Sequence, residues 1–476
     1  MESQQVEDQT SKIKKIPLMI VLISGAFAAV LNQTILSTAL PHVMKDLQLD
    51  ANVAQWLQSI FMLVNGIMIP ITAFLIERFT TRGLFLTAMG LLGVGTFICS
   101  ISPNFAFLMT GRVLQASGAG IMMPLMQTIL FLVFPVEKRG TAMGLFGLVI
   151  SFAPAIGPTL SGWLVDHFVW RSLFYILLPI IFIDMVVAYF ILKNVTKQKF
   201  SKVDMLSILL STLGFGGLLY AVSTAGGSGW SSTQVVVSMV VGVICLALFI
   251  FRQLKIENPI LQFSVFSYKV FTITTIIGMV VFMGLIGGSV ILPILMQDML
   301  GYSAFESGLM LLPGALLMGG MGLVAGKLFD KFGARWLCII GLSIMVITTF
   351  MLSYLTENTT FVYLLVVNTI RMLGLSMVLM PVTTAGLNQL PRHLIPHGTA
   401  MSNTLRQVAG GVGTALLVSV MANFSMPSEG VDGLIHGVNV SFIVAGLITT
   451  IGFVLSFLVK NKQPELEAHQ VIKKAN

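Results

Sequence analysis

The sequence falls into fourteen predominantly apolar runs separated by short polar turns. A run of about 20 apolar residues is what a helix needs to cross the hydrocarbon of a bilayer. Soluble domains carry about a quarter charged residues; here the share is 10%, against 56% hydrophobic. So few polar side chains cannot cover a water-facing exterior. The predicted fold class is therefore an all-α polytopic membrane protein with lipid as its solvent. The 45 glycines and 17 prolines fit it, because membrane helices approach closely on small residues and neighbouring helices re-satisfy backbone groups that a proline frees.

The formal charge of +8 raises the question of nucleic acid. The basic residues are scattered between apolar runs and form no groove-sized patch, so no nucleic-acid partner is expected. With the N-terminus placed inside, all but five of the 27 Lys and Arg residues fall in inner segments. Lys45 and Arg171 fall outside, and Arg112, Arg371 and Arg406 fall within spans. That bias predicts a multi-pass protein of the cytoplasmic membrane with both termini in the cytoplasm. The first run, 17–40, is too long for a signal-peptide core and reads as the first span. Cys99, Cys245 and Cys338 each lie in an apolar run without CxxC spacing or a histidine cluster, so neither metal nor disulfide is expected. No phosphate-binding loop, HExxH or Ser/His/Asp arrangement supports an enzyme, and no cofactor is implied.

Two inner turns resemble each other. Ala73 to Arg82 carries Leu75, Glu77, Arg78 and Arg82; Gly326 to Arg335 carries Leu328, Asp330, Lys331, Gly333 and Arg335 at the same spacing. A second pair follows: Arg112-Val-Leu114 before Gly118 and Pro124, and Arg371-Met-Leu373 before Gly374 and Pro381. The repeat predicts an N-terminal six-helix bundle over 1–192, a two-helix insertion with its linkers over 193–262, and a C-terminal six-helix bundle with a tail over 263–476. Paired bundles around a midplane site are a transporter arrangement.

These motifs resemble the major facilitator superfamily over essentially the whole chain, and within it the 14-helix drug:proton antiporters, including lincomycin-resistance-type exporters. The resemblance implies a gate at the two inner turns, where the acid latches the closed cytoplasmic side: Glu77, Arg78 and Arg82 in one copy, Gly326, Asp330, Gly333 and Arg335 in the other. The first copy departs from the motif at Ala73, Glu77 and Thr80. The fifth span carries Pro154, Gly157, Pro158 and Gly162, similar to the family's antiporter motif, with Ser161 in place of a glycine. The first span ends Leu31-Asn32-Gln33-Thr34, where the family usually has Asp at the position of Asn32.

Charge inside a membrane span marks function. Asp184 is the one carboxylate deep in a span, about 18 Å along the sixth. It reads either as the proton carrier or as a structural acid paired with Arg or Ser. Arg112 reads as a charge that tunes a neighbouring acid or substrate affinity, or as a fixed partner of a backbone carbonyl or an outer-loop acid, with Asn32 a candidate hydrogen-bond partner. Asn32, Gln33, Gln58, Asn65, Gln115 and Asn368 are the candidate substrate-binding residues, with interhelical hydrogen bonding as their alternative role. Arg371 and Arg406 are weighed with them, Arg406 also as a packing anchor.

The reading is a monomeric, proton-coupled exporter of lipophilic drugs working by alternating access, with small-molecule drugs, protons and membrane lipids as its partners. Neutral or weakly basic drugs are expected as substrates. The alternative is a proton-coupled symporter or facilitator for a nutrient. A membrane protein without transport is a third reading, disfavoured by the matched halves.

Overall fold

A computed structural model describes residues 15–196, 198 and 204–459. Both chain ends, and several of the basic residues that set the predicted orientation, lie outside the described residues. The described residues form fifteen α-helices and no strand. They are α1 (Lys15–Thr34), α2 (Leu36–Leu47), α3 (Ala51–Arg78), α4 (Thr81–Ser100), α5 (Phe105–Val133), α6 (Arg139–His167) and α7 (Ser172–Ile191), then α8 (Met205–Ser228) and α9 (Thr233–Gln253), then α10 (Lys269–Ile294), α11 (Ala304–Phe332), α12 (Ala334–Met351), α13 (Phe361–Leu387), α14 (Ile395–Phe424) and α15 (Gly430–Ser456). All but α2 belong to the fourteen helices long and apolar enough to cross a membrane.

The predicted first span, 17–40, is interrupted. Thr34 ends α1 with its hydroxyl turned back 3.2 Å from the Leu31 carbonyl, a contact that bends helices. The chain resumes as α2, which ends at Gln48 in the left-handed region (φ 52°). Helix starts are set by caps. Asn104 accepts from the Phe107 N–H, Thr360 from the Tyr363 N–H and Thr80 from the Gly83 N–H. The Thr80 departure from the loop motif thus supplies the N-cap of α4. In the other copy, Gly333 (φ 76°) makes the turn into α12.

The internal repeat is visible in the packing. α5 packs on α3 and α4, α6 on α1, and α7 on α4. In the other half α13 packs on α11 and α12, α14 on α10, and α15 on α12, the same pairs in the same order. Between halves, α6 lies against α11 and α3 against α14, again related by the repeat. The two halves plus one added helix pair are the predicted architecture. The pair α8–α9, central in sequence, is peripheral in space: α8 lies on both α3 and α14, while α9 packs chiefly on α8. The outer faces are apolar, with Phe182, Phe190, Val237 and Phe251 all more than half exposed, as helices in lipid require.

Candidate functional site

The N-terminal half holds a buried polar cluster built on α5. The Arg112 guanidinium is fully buried. Nε donates to the Leu57 carbonyl (3.1 Å), and Nη1 lies 3.2 Å from both the backbone and side-chain oxygens of Asn32 and 3.0 Å from Gln115 Oε1. The plane lies over the Phe61 ring at 4.3 Å. Gln115 and Asn32 in turn donate to the Thr96 hydroxyl (3.1 and 3.3 Å), which donates to the Leu92 carbonyl. One nitrogen, Nη2, is buried with no partner. Every acceptor in the cluster is neutral, so the cation has dipoles and a π face but no counter-charge. An aspartate at position 32 would have made an ion pair; Asn32 leaves the cluster net positive.

Asp184 sits elsewhere in the same half. Its Oδ1 accepts from the Ser24 hydroxyl on α1 (2.5 Å), and Oδ2 is buried without a partner. A Cβ on Gly25 would lie 2.9 Å from that oxygen and from the Phe85 ring, so the glycine makes room for the carboxylate. The Ser24 proton is contested, because the Ile20 and Val21 carbonyls lie 2.9 and 3.1 Å from its oxygen. Asp184 and Arg112 do not touch, yet both rest on α1. Ser24 and Asn32 are eight residues apart, about 12 Å along that helix.

In the C-terminal half Arg371 is buried on α13, donating from Nη2 to the Gly284 carbonyl (3.3 Å), with Nε unpartnered. One turn away, Asn368 is fully buried and neither amide atom has a partner among the described residues; Gly314 of α11 lies against it. Arg406 donates to the Thr383 hydroxyl (2.6 Å).

The halves are locked at the predicted inner end. Asp330, at the end of α11, accepts from the N–H groups of Gly140 and Thr141 at 2.7 and 2.9 Å and from the Thr141 hydroxyl at 2.6 Å. These are free donors of the first turn of α6, where a negative charge is also favoured by the helix dipole. Gly326 and Gly140 meet backbone to backbone, and a side chain on either would overlap the other. Glu77 meets His397, with Oε1 3.1 Å from Nε2. Arg139 donates to Asn388 (2.9 Å), Asn403 to Gln127 (2.6 Å), and Thr128 bonds Thr399 (2.7 Å). Toward the other end, nothing lies within 4 Å of a Cβ placed on Gly162 or Gly308, and Pro154 and Ile156 are exposed. The seam between α6 and α11 is closed at the loop-motif end.

The remaining predicted residues fall in three groups. Asn32 and Gln115 are brought together by Arg112. Asn65 lies where α3 meets α5, its backbone 2.9 Å from a Cβ placed on Gly120, and Gln33 and Gln58 are half-buried. In the gate set, Arg82 stacks on Tyr189 (3.9 Å) and Arg78 lies over Phe74 (5.8 Å), while Arg335 is exposed. Gly157 packs against Thr34 where α1 ends, Pro158 is half-buried beside it, and Gly162 meets nothing. Sequence reasoning missed Ser24, Thr96, His397, Asn388 and the N-terminus of α6. Their residue types are unremarkable, and only tertiary pairing gives them roles.

Outside the spans, two acids are held ionised. Trp170 and Arg171 donate to Asp46 (2.9 and 2.8 Å) and hold its carboxyl below the usual range. The Arg252 guanidinium, with help from Ser207, brings Asp204 down to about 2.

The family described as Major Facilitator Superfamily matches residues 22–414. The chain is 55% identical over 94% of its length to the uncharacterised MFS-type transporter YcnB of Bacillus subtilis, covering 95% of that protein. It is 40% identical over 95% of its length to the lincomycin resistance protein LmrB of the same organism, covering 97% of that protein. Among solved structures, the human organic anion transporter MFSD10 superposes with a TM-score of 0.69 at 13% identity, over 94% of this chain and all of that one; at that identity the likeness concerns the fold.

Proposed function

This chain belongs to the Major Facilitator Superfamily, as a multi-pass membrane transporter rather than an enzyme, and on that premise we propose that it exports lipophilic drugs in exchange for protons. The observation that carries drug export is the 40% identity, along nearly the whole chain, to a protein named for lincomycin resistance. Alternating access is supported by the seam itself, closed at one end through bonds that can break without unfolding either half. In this reading the gate is Asp330 with Gly326, Gly333 and Arg335, and Glu77 with Arg78 and Arg82; Pro154, Gly157, Pro158 and Gly162 make α6 bendable.

Asp184 is the proton carrier in this mechanism. A deep, half-bonded carboxyl on α7 that touches α1 can shift that helix when its charge changes, since the protonated form can donate to Ser24 and the ionised form cannot. Arg112, on α5 but bonded to α1 through Asn32, senses the shift. Coupling then requires only that proton and drug favour different conformations. Asn32, Gln33, Gln58, Asn65, Gln115 and Asn368 are assigned to drug contacts. The units are 1–192, 193–262 and 263–476, acting as a monomer in the cytoplasmic membrane of a bacterium, with both termini inside on the strength of the Lys and Arg distribution.

The test is drug efflux from cells and drug-induced proton release from purified protein in liposomes, for wild type and Asp184→Asn. A protonophore should abolish wild-type efflux, and the variant should lose proton release while still binding drug. Efflux that persists with the protonophore sinks proton coupling. Normal release from the variant sinks Asp184 as the carrier. Absence of transport for lincosamides and other lipophilic drugs alike sinks drug export.

A further inference from the structure

We propose that a small chamber between α10, α13 and α14 is a binding site for a single halide-sized anion, the counter-ion of Arg406. The chamber offers about 10 Å3 to the centre of a water-sized sphere, which is room for one small guest. Its polar lining is Arg406, Thr274, Thr275, Thr383 and Ser402. Arg406 is buried (6% exposed). Among the described residues its one bond runs from Nη2 to the neutral Thr383 hydroxyl, and no carboxylate reaches it.

The bonding around the chamber decides between guests. The hydroxyls of Thr274, Thr383 and Ser402 give their protons to backbone carbonyls of their own helices, each at 2.8 Å. Among the described residues, Thr275 gives its proton to nothing. The donors left for a guest are therefore Arg406 Nε and Nη1 and the Thr275 hydroxyl, and the lining carries the net positive charge of Arg406. A guest there must accept, and must offset a charge that lipid and protein leave bare. Water accepts but carries no charge. Room for one small guest favours a monatomic anion over a polyatomic one. A monatomic anion, chloride under cellular conditions, meets both requirements.

The consequence is that three helices of the C-terminal half are joined through an ion. The site stands apart from Arg112 and Asp184 and from the drug-export reading. The experiment uses purified full-length protein in detergent, with sodium bromide exchanged against sodium gluconate at constant ionic strength. Bromide and chloride should raise the unfolding midpoint by about 3–5 °C at saturation. Thr275→Val, which removes one donor, should weaken the half-maximal halide concentration about fivefold, and Arg406→Gln should abolish the response. Crystals of the wild-type protein grown in bromide should show an anomalous peak in the chamber. A chamber without that peak overturns the proposal and assigns the space to water, whatever the variants do. Halide stabilisation left unchanged by Thr275→Val also overturns it, placing the ion elsewhere; this variant keeps the question open to refutation if Arg406→Gln fails to fold.

Discussion

Glu77 and His397 are 320 residues apart in sequence and meet across the closed seam, Oε1 of one 3.1 Å from Nε2 of the other. The backbone N–H of Gln262 approaches Nδ1 of the same ring at 3.4 Å. That makes Nδ1 the acceptor and leaves the Nε2 proton for Glu77. One imidazole thus joins the end of α3, the start of α14 and the segment that follows the helix pair.

Breaking that contact should loosen the closed end of the seam. A charge-assisted hydrogen bond contributes about 1.5–3 kcal/mol, which corresponds to about tenfold or more in a two-state equilibrium. Glu77→Ala and His397→Ala are each expected to raise the modification rate of a cysteine placed at Thr128, inside the closed seam, by about that factor. The double variant should exceed neither single variant by much. Additive effects would mean that the two residues act separately.

Gly326→Val addresses the same gate by steric means. The valine Cβ would overlap the Gly140 carbonyl, and both neighbours are backbone that cannot move aside. The variant should fold, because the overlap exists only when the halves close, but transport should stop. The Thr128 cysteine should become permanently accessible. Wild-type transport by this variant would show that the seam observed here is not visited in the cycle.

Arg112→Lys should be poorly tolerated. The ammonium cannot reach the Leu57 carbonyl, Asn32 and Gln115 together, nor stack on Phe61. The expected cost is about 2 kcal/mol or more in unfolding free energy, read as a lower thermal midpoint, and a loss of efflux beyond the loss of folded protein. Retained stability with lost efflux would assign Arg112 to transport alone.

The α8–α9 pair should respond to acid. The Asp204 carboxyl titrates near 2 in the folded protein, below its ordinary 3.8. Between those values the unfolded chain holds a proton that the folded one does not. The pair with Arg252 therefore stabilises fully above about pH 4, and its contribution is lost as pH falls through about 2. In Asp204→Asn the part of the acid-induced loss confined to that window should vanish. An unchanged acid profile would mean that the pair contributes nothing to folding.

The spans were readable because lipid imposes one rule on every crossing segment, and the basic residues mark the turns between them. The repeat, the depth of Asp184 and the partnership of Arg112 with Asn32 were also within reach. Each concerns polar groups that an apolar run cannot leave alone. The interruption after Thr34 was not, since a hydroxyl bonding back to its own helix leaves no mark in composition. Nor were the partners of Glu77 and Asp330. His397 reads as a polar residue at a helix start, and the donors that hold Asp330 are partly backbone N–H groups, identical in every sequence. Which end of the seam is shut is a property of the equilibrium between conformations rather than of any local pattern.

The position of α8 makes the transporter lopsided. Trp56 of α3 stacks on Tyr220 at 5.5 Å between ring centroids, and Trp230, just beyond α8, bonds Ser419 of α14 at 2.5 Å. A third body therefore straddles one flank of the molecule, while among the described residues the flank between α6 and α11 has none. Rocking cannot part both flanks alike: on one side the moving walls must slide along a strap, and on the other they are free to swing.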